Sequence, residues 1–512
     1  MHESVEHWRV HKPLVRGENG VVAAQHWRAA QAGVAVLDTG GNAVDAAVAT
    51  ALAEGVVEPW MCGLGGSGYM VVYRKVDQSV HTLNFQGTVP AGIDLADYPL
   101  DPSVPDAIMG FPGVKDNRNV VGYGSITVPG AVAGFAEALV RFGSQPFERL
   151  VMPALDLASQ GLVVDWYTTL QIVLQMGELQ KDRGASELYL PGGVPAQPDS
   201  VLPLPALTAT LKRLAEHGPR DFYEGGIAEQ LVADLQRGGS AIGREDLANY
   251  RVEVSEPLSG VHRGVRVYGT DATGGARRLL EALAHSAGEL DPTEIGADTY
   301  LAYARALDAA FSAHKARVGQ DAQGGCTTHL SVLDGEGNLV ALTYTLLNRF
   351  GSQVVLPRTG ITMNNAISYF DPRPGFPTSL AGGKRINSSN MCPTIAVKDG
   401  KGWFAVGASG ANFIVPATFQ ITALLIDYGL SLEEVFHVPR IDASARGGLR
   451  VDPRIPWEIR EKLAEHWPLE VAQLLTFPKL YACPSAVLRD PDSGVGYGMT
   501  DPSSPVAAAW AG

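Results

Sequence analysis

The chain has 512 residues, 46% hydrophobic and 18% charged, enough to bury a large core and too long for one small domain. A formal net charge of −14 argues against a nucleic-acid-binding surface and against a polybasic membrane patch. No apolar run reaches transmembrane length, the polar N-terminus MHESVEHWRVHKPLVRGENG lacks the order of a secretion signal, and the cysteines Cys62, Cys326, Cys392 and Cys483 show neither CxxC nor zinc spacing, so cytosolic thiols and a cytoplasmic location are expected.

In chain order, residues 23–38 carry apolar positions at helical spacing and predict a helix closed by Gly40 and Gly41. Asn42 is then a good N-cap, with Asp45 in the first turn and an alanine-rich helix behind it, read as a buried structural element. The glycine-rich loop 62–68 precedes a strand at 69–73. A dinucleotide cradle needs strand, glycines and helix in that order, so the nucleotide reading is rejected. Val128-Pro129-Gly130 predicts a turn before a helix, residues 151–175 read as helical, and the Pro-rich 189–204 stretch is expected to wrap the surface. A helix is predicted over 298–314. The tail 316–325 has few apolar residues and three glycines, and is expected to be mobile.

Residues 324–365 hold the chemistry. Two strand-like runs flank the Asp334-Gly335-Glu336-Gly337-Asn338 turn, a hairpin signal. Thr327 and Thr328 stand at its head. If the Cys326–Thr327 peptide is cut, Thr327 gains a free α-amine beside its own hydroxyl, and base and nucleophile then share one residue. Such an amine titrates at about 7.7–8.0 when unperturbed, which suits base work near neutral pH. Gly324 and Gly325 would permit a strained approach to the scissile bond. His329 lies on the same strand face as Thr327 but is read as structural.

Thr327-Thr328-His329, Ser331-Val332, Asp334, Gly337-Asn338, Thr343-Tyr344-Thr345, Phe350-Gly351, Gly360 and Asn364-Asn365 together resemble the γ-glutamyltranspeptidase family of N-terminal-nucleophile hydrolases. The segments 40–59, 128–134, 222–225, 246–250, 273–275, 384–394 and 407–413 extend the resemblance over most of the chain. It implies an α/β (α+β) fold, a four-layer αββα sandwich. It implies a precursor that cuts itself before Thr327 into fragments 1–326 and 327–512 sharing one core, with a homodimer of the processed unit possible. It implies Thr345 as an orienting hydroxyl, Gly410 and Ala411 as oxyanion donors through their N–H groups, and Ser389 and Asn390 as substrate-binding residues, with Ser388 competing because one residue is inserted there. No metal, cofactor, nucleic acid or membrane partner is implied.

The departures concern the acyl pocket. Gln86-Gly87 stands where relatives carry an Arg-Glu pair whose Arg holds a substrate carboxylate, and a neutral Gln86 cannot replace a bidentate guanidinium. Ser368 and Tyr369 stand where relatives hold the amino group with an Asp, and the 370–383 lid segment is short. The expected substrate is therefore a small amide other than a γ-glutamyl peptide, as in relatives that resemble oxamate amidohydrolases, with Arg349 supplying the cation. The rivals are a genuine γ-glutamyltransferase or glutathione hydrolase anchored by Arg349 or Arg385, a cephalosporin-type acylase, and a non-catalytic pseudoenzyme.

Overall fold

The computed structural model describes residues 10–107, 109–290, 292–318, 326–444, 447–472 and 482–512. Two antiparallel sheets of seven strands lie face to face. The first runs Val15–Gly17, Gly496–Thr500, Cys483–Arg489, Lys401–Ser409, Thr394–Lys398, Val265–Tyr268, Ser259–His262. The second runs Ala508–Ala511, Gly20–Ala24, Thr328–Asp334, Leu339–Thr345, Ser67–Arg74, Ser79–Phe85, Glu253–Ser255. Between them pack Val21, Ala23, Val71, Leu333, Ala341, Ile395, Ala405 and Val487. Helices Trp27–Asp38, Ala43–Val57 and Ala131–Phe142 cover the second sheet. Helices Ala276–Glu289, Ala297–Val318 and Ile414–Tyr428 cover the first, which completes the αββα order. No helix among the described residues is long and apolar enough to cross a membrane.

Both sheets interleave strands from either side of residue 326. Strands 328–334 and 339–345 lie between 20–24 and 67–74, and 394–409 and 483–500 lie between 15–17 and 265–268. Lys12 adds a tie. Its ammonium donates to the carbonyls of Asp501 (3.0 Å), Ser504 (2.9 Å) and Ala507 (2.8 Å) and to Thr500 Oγ1 (3.2 Å).

The hairpin forms where expected, with Gly337 at φ +94° in its turn and His329 paired with Thr343. Every residue of both strands is buried, because each lies between a helix layer and the other sheet. Leu330, Val332, Val340 and Leu342 join the helix-side core, while Leu333, Leu339 and Ala341 face the other sheet. Alternation therefore turns odd-numbered residues of the hairpin inward between the sheets. The helix expected from residue 23 starts at Trp27, because Gly20–Ala24 is a strand held on both sides. The helix expected over 151–175 is two helices, Phe147–Gln160 and Trp166–Leu179. Gly161 at φ +86° ends the first and the Asp165 carboxylate caps the second through Thr168 N–H. The tail expected to be mobile over 316–325 begins as helix, since Ala297–Val318 runs through 318, and its remainder, 319–325 with Gly324 and Gly325, lies outside the described residues.

Asn42 caps the 43–57 helix by accepting from the Val44 and Asp45 N–H groups, and Asp45 accepts in return from the Asn42 N–H, a full capping box. Asn42→Ala is expected to cost about 1–2 kcal/mol, read as a lower urea midpoint at unchanged slope. Asn42→Asp, which keeps the acceptor, is expected to retain most of that stability.

Candidate active site

The hairpin register sets the centre. One step beyond the Thr328–Tyr344 pair, Thr327 falls across from Thr345, both on the inward face. Thr327 is 3% exposed, and its hydroxyl donates to the Cys326 carbonyl oxygen at 2.6 Å. The Thr345 hydroxyl donates to the same oxygen at 2.5 Å. Leu347 N–H donates to Thr345 Oγ1 at 2.7 Å, so the Thr345 proton is left for the carbonyl. The Leu347 carbonyl in turn accepts from Cys326 N–H at 2.5 Å. Leu347 reaches both positions from φ +83°, a left-handed conformation that costs a branched L-residue about 1–2 kcal/mol. Sequence reading missed it, because a leucine after a strand carries no chemical signal.

The strand Lys401–Ser409 from the facing sheet ends at this centre. Gly410 follows at φ +121°, and a Cβ there would meet Ala482 Cα at 2.8 Å, so glycine is required. Ala411 takes φ +52°, and the helix Ile414–Tyr428 begins just beyond. Ala411, Thr327, Cys326, Leu347, Tyr369, Asn390, Met391, Ile414 and Met109 line one small cleft. Its volume of about 10 Å³ holds about one water.

Of the expected substrate-binding residues, Tyr369 and Asn390 line this cleft. Ser389 lies directly behind it. Its Oγ accepts from Met391 N–H at 3.3 Å, and burial pushes the neighbouring Tyr369 phenol up to about 12. Ser388 lines a neighbouring hollow. Gln86 is fully buried, with its amide on Ser67 Oγ (3.4 Å) and Met391 Sδ (3.5 Å). Arg349 is not among the lining residues. Its Nε donates to Gln171 Oε1 at 2.6 Å. Arg385 holds the backbone carbonyls of Gln86 and Arg251, the Tyr250 hydroxyl and, at 3.1 Å, Glu253. His329 bridges Thr343 Oγ1 (2.7 Å) and Ser331 Oγ (2.9 Å), and burial drives its pKa down to about 3. Both bonds lie within one sheet, so it is a neutral ring packed against Gly407 of the facing sheet, in keeping with its structural reading.

Two stretches of the chain, residues 29–317 and 293–511, match the model of the gamma-glutamyltranspeptidase family. The protein belongs to that family. It is 33% identical over 495 residues to the Acylase ACY 1 proenzyme of Pseudomonas sp. (strain SE83), covering 88% of this chain and 87% of that one. It is 32% identical over 480 residues to the glutathione hydrolase proenzyme of Escherichia coli (strain K12), covering 83% and 81%. Among solved structures, the cephalosporin acylase from Bacillus halodurans superposes with a TM-score of 0.87 at 26% identity, covering 100% of this chain and 99% of that one. As a member of this family the chain is an N-terminal-nucleophile enzyme acting on amides.

In this gamma-glutamyltranspeptidase-family site, two further features carry no sequence signal. Arg278, on the 276–289 helix and 2% exposed, donates to Asn390 Oδ1 (2.5 Å) and to the Ser389 carbonyl (2.6 Å). That orients the Asn390 amide, whose Nδ2 donates to Asn412 Oδ1 (2.7 Å) beside Ala411. Behind the Thr328–Asp334 strand, the buried carboxyls Glu54 and Glu58 face Gln25 N–H (3.1 Å) and Thr328 Oγ1 (3.5 Å). Burial raises the Glu54 pKa from about 4.5 to about 8, and burial together with Glu54 raises that of Glu58.

A raised folded pKa means that protonated Glu54 favours the native state at low pH, and that this preference is lost as pH climbs from about 4.5 to about 8. Glu54→Gln is therefore expected to gain stability relative to wild type across that window, read by denaturant titration at pH 5 and pH 8. At the Gly410–Ala411 turn, Ala411→Gly is expected to preserve turnover and to stabilise by up to about 1 kcal/mol through relief of the left-handed strain. Ala411→Val is expected to reduce kcat by about a hundredfold or more, the scale of one lost oxyanion donor.

Proposed function

We propose that the chain cuts its own Cys326–Thr327 bond and then works as an acylase. It would hydrolyse amides whose acyl group lacks a free α-amino acid end, with Thr327 as nucleophile. The observation that carries the first step is the Cys326 carbonyl oxygen, held by the hydroxyls of Thr327 at 2.6 Å and Thr345 at 2.5 Å. Thr327 Oγ attacks the Cys326 carbonyl carbon, and Thr345 stabilises the charge that develops on the oxygen. The C–N bond breaks, the hydroxyl proton passes to the departing nitrogen, and an ester joins Cys326 to Thr327 Oγ. Water then hydrolyses the ester, leaving a Cys326 carboxylate and a free Thr327 amine. The cleft beside the bond has room for that water.

In turnover, the amine takes the Thr327 hydroxyl proton as Oγ attacks the substrate carbonyl. The proton goes to the leaving amine, and the Gly410 and Ala411 N–H groups receive the oxyanion. Water, activated by the same amine, releases the acid. The departure of Cys326 opens the cleft to substrate.

Support for a neutral acyl group comes from the lining. Met109, Leu347, Tyr369, Met391 and Ile414 surround the nucleophile, and Gln86 is already engaged with Ser67 and Met391. Arg349 on Gln171, and Arg385 on backbone carbonyls and Glu253, lend no cation to a substrate carboxylate in this conformation. That favours the acylase reading over an oxamate-like or glutathione-like substrate. Each missing charged hydrogen bond is worth about 1.5–3 kcal/mol to a γ-glutamyl group, roughly tenfold to a hundredfold in kcat/KM. Turnover of butyryl and γ-glutamyl 4-nitroanilides and of oxamate, with Thr327→Ala as control, tests the reading. The butyryl anilide is expected to lead by at least about tenfold. A lead for γ-glutamyl anilide or oxamate would overturn it.

A further inference from the structure

A second compartment adjoins the nucleophile cleft. It is lined by Phe111, His314, Val318, Thr378 and Ser388, and it shares Met109, Tyr369 and Asn390 with the cleft as a common wall. Its volume is about 20 Å³, twice that of the cleft and room for about one or two waters, so a longer occupant enters only as the shared wall shifts. Phe111, Tyr369, Met109 and Val318 give it an apolar body. Met109 is the most adaptable part of the shared wall, since a thioether on an unbranched chain changes rotamer at little cost.

One polar group in this compartment stands out. Thr378 is 3% exposed and its Oγ1 has no hydrogen-bond partner among the described residues. A buried hydroxyl without a partner is costly, and native structures retain few. The loop holds Thr378 in place, since its carbonyl accepts from Asp371 N–H at 2.9 Å. His314 on the opposite side is kept neutral, its pKa driven down to about 2 by burial and by the nearby guanidinium groups of Arg278 and Arg317. It therefore adds a neutral imidazole and no charge.

The compartment adjoins the cleft that holds Thr327: Met109, Tyr369 and Asn390 wall both, so a group on Thr327 that outgrows the cleft on that side reaches the compartment. We infer that this compartment is an acyl-extension subsite: acyl groups longer than acetyl pass Met109, lie against Phe111 and Tyr369, and bring a terminal hydroxyl or other oxygen to the Thr378 hydroxyl. The inference rests on the proposed acylase reading and selects its substrates by chain length and terminal group.

The test uses the processed full chain with acetyl, butyryl, hexanoyl and 6-hydroxyhexanoyl 4-nitroanilides, and a second series in which the acyl group is fixed and the amine varied. In wild type, kcat/KM is expected to rise from acetyl to hexanoyl. Val318→Trp, which fills the compartment from its half-buried edge, is expected to lower the hexanoyl-to-acetyl ratio by about tenfold or more, the scale of lost methylene contacts in an apolar pocket. Thr378→Val, nearly isosteric, is expected to lower 6-hydroxyhexanoyl turnover relative to hexanoyl by about threefold to tenfold. It also decides the question should the tryptophan variant fail to fold. Unchanged ratios in processed, active variants would overturn the subsite while leaving the Thr327 chemistry intact. An effect confined to the amine series would overturn it in favour of a leaving-group site. Absence of processing and of acetyl turnover in wild type would instead count against the acylase reading itself.

Discussion

The register of one hairpin controls this active site. Pairing of Thr328 with Tyr344 places Thr327 across from Thr345, and alternation turns both inward between the sheets. A slip of one residue would turn both hydroxyls toward the 43–57 helix and send Leu330 and Val332 out of the apolar layer that now buries them. Each of those side chains contributes about 1.5–3 kcal/mol by burial. The energy that fixes Thr327 is thus ordinary core packing, several residues away along the strand.

Around that centre, strain and buried polar contacts hold geometry that packing alone would not. Leu347 and Ala411, both at positive φ, lie on either side of Thr327 and line the same cleft. Such conformations persist only where the surroundings over-determine them. Leu347 is held by its bonds to Cys326 and Thr345, and the Ala411 turn by Asn412, Asn390 and Arg278 in series. The strand that carries the turn is tied back to the other sheet through Ser409 Oγ, which donates to Gln25 Oε1 at 2.9 Å, and Gln25 N–H reaches Glu54. Thr327 and the Gly410–Ala411 turn come from different sheets, and Gln25 ties the strand leading into that turn to Glu54, behind the Thr328–Asp334 strand.

Much of this was legible in the sequence, and the exceptions have physical causes. Periodicity, turn residues and capping gave the 43–57 helix, the hairpin and the strand after the glycine loop, because those signals are local. They misplaced the start of the first helix at residue 23, since an Ala-Ala-Gln run does not reveal that sheet pairing claims Val21–Ala24. They also ran two helices together across Gly161, whose positive φ is a property of the fold. At the site, Thr327, Thr345, Asn390, Tyr369 and the Gly410–Ala411 turn come together from four separate stretches of chain. Arg278, Leu347 and Thr378 were not legible, because each matters through a partner or an empty neighbour more than a hundred residues away in the chain or through a backbone angle. Arg349 draws attention by its charge, but its Nε donates to Gln171 and it is not among the residues lining the cleft.

We propose that the Cys326 carbonyl, held by the Thr327 and Thr345 hydroxyls, is poised for attack by its own neighbour. Intact-mass measurement of the purified chain, with N-terminal sequencing and a Thr327→Ala control, tests it most directly. Wild type is expected to give two fragments, the smaller beginning at Thr327, and the variant a single uncut chain. A wild-type chain that stays whole on long incubation, or a cut at any other bond, would contradict it.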